Sequence, residues 1–507
     1  MGEAIMMRAS IGNLLCLIQS GFAPGYYRLD CGQQARGFSC QWDDRMDFDK
    51  LSKGLFYTVG LAAVCILLLL FGMYAGYRQN SLFQFVQRPV VALVHGAAGL
   101  RELNLVRPGD FIQPARGEGA GVTVNELQDQ GGYVLMSGFF GNDNGIRLVR
   151  RDGTLVRAWT LQYSQIFTDT GFLPLPPATD WNVDTDGVLA MPDGSVVVDF
   201  EFSGLARIGR CGEVMWTVPL QTHHSVERAE AGGFWVPGRR VVTDPDATQF
   251  PPFFPPFSEP SILLISDDGE VLREISVPRL FYASGLEAVL SSKAIFYKPG
   301  LGYPKNPPEI VHLNKIAELS SDLADDFQLF EAGDLMLSMR DLNLVAVIDP
   351  DSERIKWWSI GPWLRQHDPE FRQGGTIVVF NNNIYSETAF AGIGDKSSPR
   401  ARLAVPRVSN IMEMDPLTRR VKLLFGGAIG QEMLSIIRGK VDLTAGGGLL
   451  VTEFEAGRVF ETDSRGNITW EYVNRYDEDE VAEITEARYY PEDYFQVRDW
   501  SCPETQG

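Results

Sequence analysis

Histidine is scarce in this chain, with five copies in 507 residues, and cysteine is nearly so, with six. The cysteines show no short paired spacing, which excludes a Cys-rich metal module. Cys16 is near the start, Cys31 and Cys40 precede a long apolar run, and Cys65 lies inside it. Only Cys211 and Cys502 fall in the remainder, far apart in sequence. That separation is too great to claim a bridge from sequence, and the fold does not read as disulfide-built. Positive charge is also in short supply. Forty-five Lys and Arg against 65 Asp and Glu leave a net charge of −20, which argues against nucleic acid or anionic lipid as the main partner. A local Arg/His cluster can still attract a small anion. Residues 1–45 contain no convincing signal peptide, because their apolar segments are short and interrupted. Met46 opens "MDFDKLSKG", a natural start for a short-tailed anchor, so residues 1–45 read as a dispensable tail or an over-extended start.

One apolar run is present, "GLFYTVGLAAVCILLLLFGMYAGY" over Gly54–Tyr77, without a charge and without a polar face. It is long enough to cross a hydrocarbon core of about 30 Å at about 1.5 Å per residue. Arg45, Lys50 and Lys53 precede it, whereas Arg78 and Arg88 follow within a similar distance. That bias predicts a cytoplasmic N-terminus and an exported C-terminal portion.

Glycine, at 51 residues, and many short β-branched and aromatic runs favour an all-β protein. One pattern recurs six times: a strand, a tight turn and a second strand, often with Trp. The copies are "IRLVRRDGTLVRAWTL" (146–161), "LARIGRCGEVMWTVPL" (205–220), "SILLISDDGEVLREISV" (261–277), "LVAVIDPDSERIKWWSI" (344–360), "NIMEMDPLTRRVKLLF" (410–425) and "GRVFETDSRGNITWEYV" (457–473). Alternation around a turn is the mark of an antiparallel hairpin. Ahead of each lies a Gly-led strand such as "GGYVLMSG" or "GDLMLSMR", and ahead of that a shorter candidate strand. Four strands per unit and six units predict a six-bladed β-propeller. The chain therefore divides into an N-terminal tail (1–53), a membrane helix (54–77), a linker with first strands (78–120), the propeller (121–495) and a C-terminal tail (496–507). Insertions at 242–260, 278–310 and 386–408 are expected to loop over one face.

The few histidines are not scattered. His223/His224, His312 and His367 stand at matching places in blades three, four and five, just ahead of the second strand; His95 alone lies elsewhere. A lone strand histidine is usually a structural hydrogen-bonder. Three at equivalent positions of a closed ring should converge near its axis. Three histidines can bind zinc. Arg340, at the end of the "SMR" strand beside His312, would repel a cation but suits an oxyanion, so no metal and no cofactor are expected. Histidines with an arginine suit transfer of a charged group: one imidazole attacks, another handles the proton, and the guanidinium holds the oxygens.

"HHSVE", "HLNKI", "GDLMLSMRDLN", "GPWLRQHDPEF" and "ITEARYYPEDYF", in that order over roughly 131–495, resemble the bacterial arylsulfotransferase (aryl-sulfate sulfotransferase) family. The resemblance implies a six-bladed propeller that moves a sulfuryl group from an aryl sulfate to a phenol, through a sulfo-histidine and without a nucleotide donor. By motif, His367 would be the nucleophile. His312, Asn314 and Arg340 would bind sulfate oxygens or assist the proton. One of His223 and His224 would complete the site, His223 being preferred, since alternate strand residues face one side. Asp368 is read as a turn residue. The family's best-known members are soluble and carry a β-sandwich ahead of the propeller, unlike this chain. The rivals are a non-catalytic anchored propeller that binds a small molecule or a protein, and a quinoprotein dehydrogenase. The dehydrogenase would need calcium-ligating carboxylates and a cofactor-stacking site for which no motif is found.

Overall fold

The computed structural model describes residues 29–34, 37–42, 48–78, 111–127, 131–174, 176–244, 250, 253, 255–294, 309–384, 409–444 and 446–502. The chain separates into two compact units, Met1–Ala97 and Ala98–Gly507. In the first, Leu29–Gln34 and Gly37–Trp42 pair as an antiparallel hairpin, and Phe48–Arg78 is one helix. Its stretch Lys53–Gly72 is long and apolar enough to cross a membrane, and none of it is buried.

The second unit is a six-bladed β-propeller. Blade 1 runs outward from the axis as Ile484–Tyr490, Tyr133–Phe140, Asp143–Arg150 and Leu155–Thr160. Blade 2 comprises Thr185–Ala190, Val196–Phe200, Gly204–Ile208 and Val214–Val218. In blade 3 the inner strand is split into Gln221–Thr222 and Glu227–Arg228, followed by Phe234–Val242, Phe257–Ile265 and Val271–Ser276. Blade 4 is Leu313–Glu318, Leu335–Met339, Leu344–Asp349 and Arg354–Ile360. Blade 5 is His367–Arg372, Thr376–Asn381, Asn410–Met414 and Val421–Phe425. Blade 6 is Lys440–Leu443, Leu449–Glu453, Arg458–Thr462 and Ile468–Val473. The six hairpins read from the sequence are the two outer strands of each blade.

Ring closure differs from the simplest expectation. The strand just ahead of Tyr133–Phe140, Gly121–Asn125, does not join blade 1 but adds a fifth strand to the outer edge of blade 6. The C-terminal strand Ile484–Tyr490 takes the inner place of blade 1 instead. Strands from both ends of the propeller unit thus complete neighbouring blades. Leu450, Val459 and Trp470 of blade 6 pack with Val134 and Met136 of blade 1 to seal the seam. The same inter-blade packing joins blades 4 and 5 through Trp357, Trp363 and Phe371.

A bridge that could not be claimed from sequence is present. Cys211 and Cys502, 291 residues apart, are bonded with their Cα atoms 5.6 Å apart. Distance along the chain says nothing about distance in a closed ring, and the C-terminal segment returns to blade 2 after completing blade 1. Arg210 Nη1 holds it there by donating to the carbonyls of Asp499 and Ser501, both at 2.7 Å. Of the three insertions, 242–260 is partly strand, since Phe234–Val242 and Phe257–Ile265 pair along their whole length. The second forms the helices Val277–Ala283 and Glu287–Ala294. The third, at 386–408, lies outside the described residues.

Candidate active site

The inner strands of blades 3, 4 and 5 bring their histidines together as expected. His224 falls in the break between the two pieces of the blade 3 strand, at φ 70°. Its backbone N–H donates to Asp186 Oδ2 at 3.0 Å, and its carbonyl accepts from Lys440 Nζ at 2.7 Å. His312 stands immediately before Leu313–Glu318, also at positive φ (55°), and its carbonyl accepts the N–H of Arg340 at 3.1 Å. His367 opens the inner strand of blade 5. The ring centroids of His224 lie 4.7 Å from His312 and 5.9 Å from His367.

His224 rather than His223 occupies the centre of this group. His223 lies behind it, with the two Nδ1 atoms 2.8 Å apart and its own ring against Phe202 at 4.7 Å. Both rings are buried, because the segment between the strand pieces does not keep a two-residue alternation. Preferring His223 presumed a continuous strand that the backbone does not form.

The proton positions follow from second partners. Asn382 Nδ2 donates to the carbonyls of Ser435 (2.9 Å) and Arg438 (2.8 Å), which turns its Oδ1 towards His367 Nδ1 at 2.7 Å. An amide oxygen only accepts, so His367 carries its proton on Nδ1 and a lone pair on Nε2. That Nε2 has no hydrogen-bond partner among the described residues, although the residue is 2% exposed. Burial, followed by the nearby Arg340 charge, holds the imidazole of His367 well below its ordinary pKa, so it is neutral. Burial also lowers His224 strongly and brings His223 down to about 3.

His312 differs from the others in having a carboxylate hydrogen-bonded to its ring. Its Nδ1 is hydrogen-bonded to Glu309, and its Nε2 faces His224 Nε2 at 3.2 Å. Burial works against ionisation of Glu309, yet the His312 ring, with His223 and Arg239 nearby, outweighs it and holds that carboxyl below its usual range. Arg239 Nη1 reaches Glu309 at 2.8 Å, and its Cζ lies 3.4 Å from the ring centroid of Phe202. Arg340 begins the short 3₁₀ turn after Leu335–Met339, with Nε 3.4 Å from Asp341 Oδ1. Asn314 Nδ2 donates to the carbonyl of Gln366 at 2.8 Å, while its Oδ1 has no partner among the described residues. One ring nitrogen each from His224, His312 and His367 lies within 4.8 Å of the others, so these three are also the residues able to hold a metal ion.

Asp368 does more than turn the chain. It has the positive φ of a turn residue (48°), but its buried carboxylate accepts the N–H of Val441 at 2.8 Å and pairs with Lys315 at 3.0 Å. Lys315, 1% exposed, also binds Glu227 at 2.6 Å and Glu370, and Arg488 joins through Glu227 at 2.6 Å and Glu486 at 2.8 Å. The sequence reading missed Glu309, Asn382, Asp186 and this ion network. The available signals were the acid three residues before His312 and the "NNN" that ends the second strand of blade 5.

Comparison with known proteins adds a family. Among solved structures, a protein of unknown function from Bacteroides caccae aligns at TM-score 0.41 with 12% identity, over 71% of this chain and 98% of that one. Virginiamycin B lyase from Staphylococcus aureus aligns at 0.36 with 12% identity over 72% and 88%. Hydrazine synthase from Kuenenia stuttgartiensis aligns at 0.36 with 11% identity over 69% and 80%. No match was found among curated proteins. The model of the family described as Arylsulfotransferase (ASST) matches residues 186–475, more than half of the 507, and spans His223, His224, His312, Asn314, Arg340 and His367. The chain belongs to the arylsulfotransferase family.

Proposed function

We propose that the protein transfers a sulfuryl group from an aryl sulfate to a phenolic acceptor through a sulfo-histidine on His367. The observation that carries this reading is the buried, partnerless Nε2 of His367, whose lone pair is fixed by Asn382 and which lies within the field of Arg340. In the first half-reaction the Nε2 lone pair attacks sulfur, the S–O(aryl) bond breaks, and the phenolate leaves. His312, oriented through Nδ1 by Glu309, gives the phenolate its proton from Nε2. In the second half the acceptor phenol loses its proton to His312 and attacks sulfur, the S–N bond breaks, and His367 is regenerated. Sulfuryl transfer, like phosphoryl transfer, has a loose transition state with charge on its equatorial oxygens. The Arg340 guanidinium is the group to hold them, and pre-aimed donors of this kind supply most of the acceleration. Asn314 adds a donor to the substrate oxygens through the N–H of Nδ2 that Gln366 does not take.

On this reading the propeller lies on the exported side of a membrane, anchored by the helix with the N-terminus in the cytoplasm. The apolar Lys53–Gly72 stretch and the flanking charges support it, and so does the Cys211–Cys502 bond, which fits an oxidising compartment. Rapid mixing with a chromogenic aryl sulfate tests the chemistry. A burst of phenol equal to the enzyme concentration, followed by acceptor-dependent turnover, is expected. Binding of phenols without any transfer would overturn it in favour of a non-catalytic anchored propeller.

A further inference from the structure

We propose that His224, His312 and His367 also form a site for a single zinc ion, three imidazoles with a fourth position open. His224 Nε2 and His312 Nε2 are 3.2 Å apart. Two nitrogens on a tetrahedral zinc with bonds of about 2.0–2.1 Å are separated by roughly 3.4 Å, so this pair already stands close to ligand spacing. His367 completes the set, since all three rings offer a nitrogen within 4.8 Å of one another. None of the three is solvent-swept, at 4%, 8% and 2% exposure.

Each ring has the outer partner that a metal-bound imidazole needs on its other nitrogen. His312 has the Glu309 carboxylate, His367 has the Asn382 amide oxygen, and His224 has His223 Nδ1 at 2.8 Å. Such partners fix the tautomer and raise ligand basicity. His312 Nε2 and His224 Nε2 face each other directly across 3.2 Å. The charge of Arg340 opposes a cation here, but Glu309 and Asp186, 3.7 Å from the His224 ring, offset it.

A donor set of three histidines with an open place is the kind that keeps an exchangeable ligand on zinc. In this chain the ion would fill the space that a sulfuryl group needs and engage the lone pair of His367. Zinc is therefore expected to exclude aryl sulfates. The inference shares its residues with the proposed function but does not depend on sulfuryl transfer, and the two are separable.

The test uses the detergent-solubilised full chain, stripped with chelator and then dialysed with zinc chloride and without it. One zinc per chain should remain, and X-ray absorption should show nitrogen neighbours from imidazole. Loss of stoichiometric retention is expected in His312→Ala and His367→Ala, whereas His95→Ala should keep it. Glu309→Gln should weaken affinity by about 10–100-fold, the usual effect of removing an outer partner. No retained zinc in the wild type, or retention unchanged in a His312→Ala/His367→Ala double variant, would overturn the proposal. If the variants do not fold, the stoichiometry and absorption spectrum of the wild type decide alone. A chain that holds zinc but moves no sulfuryl group keeps this inference and loses the preceding one. A chain that transfers sulfuryl and never holds zinc does the reverse.

Discussion

In all six blades the fourth strand carries one residue that the third strand leaves unpaired: Val156, Met215, Leu272, Lys356, Leu424 and Thr469. The inner strands are irregular too, but in several different ways. Asn314 and Thr485 each stand opposite no partner, Asp186–Gly187 and Asp368–Pro369 each set two residues against one, residues 223–226 form an open gap, and blade 6 is regular. An extra residue bends a strand, increases its twist and re-aims a side chain. The repeated outer bulge belongs to blade geometry. The varied inner ones fall at Thr485 and at Asp186, His223, His224, Asn314 and Asp368, the last five of which build or brace the site. A feature shared by every repeat is architecture, and one that breaks the repeat marks chemistry.

Separating the two regions experimentally would break or sharpen that comparison. Trp470, fully buried on an outer strand with its indole N–H on the Arg151 carbonyl at 2.8 Å, should show the largest effect. Trp470→Ala is expected to cost about 3–5 kcal/mol in chemical denaturation while leaving the rate per folded molecule unchanged. A loss of rate in fully folded Trp470→Ala would erase the division. Arg340→Lys should behave in the opposite way. It keeps the charge but loses the two-pronged grip, slowing transfer by about 100-fold with no change in the unfolding midpoint.

These expectations follow the boundary between what could and could not be read along the chain. The outer hairpins were legible because alternation and turn chemistry are local, as in "RRDGTL" or "SDDGEV". The pairing of Ile484–Tyr490 with Tyr133–Phe140 was not, because no local pattern records which distant strand closes a ring. His367, His312 and Arg340 were legible as residue types in a repeating place. Asn382 and Glu309 were not, since their meaning lies in which way a ring nitrogen faces. Lys315 is buried among carboxylates, and nothing in the local sequence records that.

The remaining predictions are smaller. Cys211→Ser, or reduction of the wild type, frees the C-terminal segment from the outer turn of blade 2 and is expected to cost about 2–4 kcal/mol with little change in rate. The inner ion network should show as a pH slope. Burial, together with the charges of Glu227 and Asp368, outweighs Lys315 and pushes Glu370 up to about 8 from the ordinary 4.5. Its raised folded-state pKa means that the native form holds a proton the unfolded chain has lost. The resulting stability is fully present below about pH 4.5 and declines as pH rises towards 8. Melting temperatures of wild type and Glu370→Gln across pH 5–8 check this, with the flatter profile expected in the variant. A variant that keeps the full slope would assign it to other groups.

The central claim is that His367 becomes covalently sulfated. It is tested most directly by mixing the full chain with an aryl sulfate in the absence of acceptor, digesting without acid, and mapping the modified peptide by mass spectrometry. The account predicts a sulfo group on His367 that disappears when a phenol is added, and no adduct in His367→Asn. Sustained transfer with no adduct, or with the sulfo group on another residue, would contradict it.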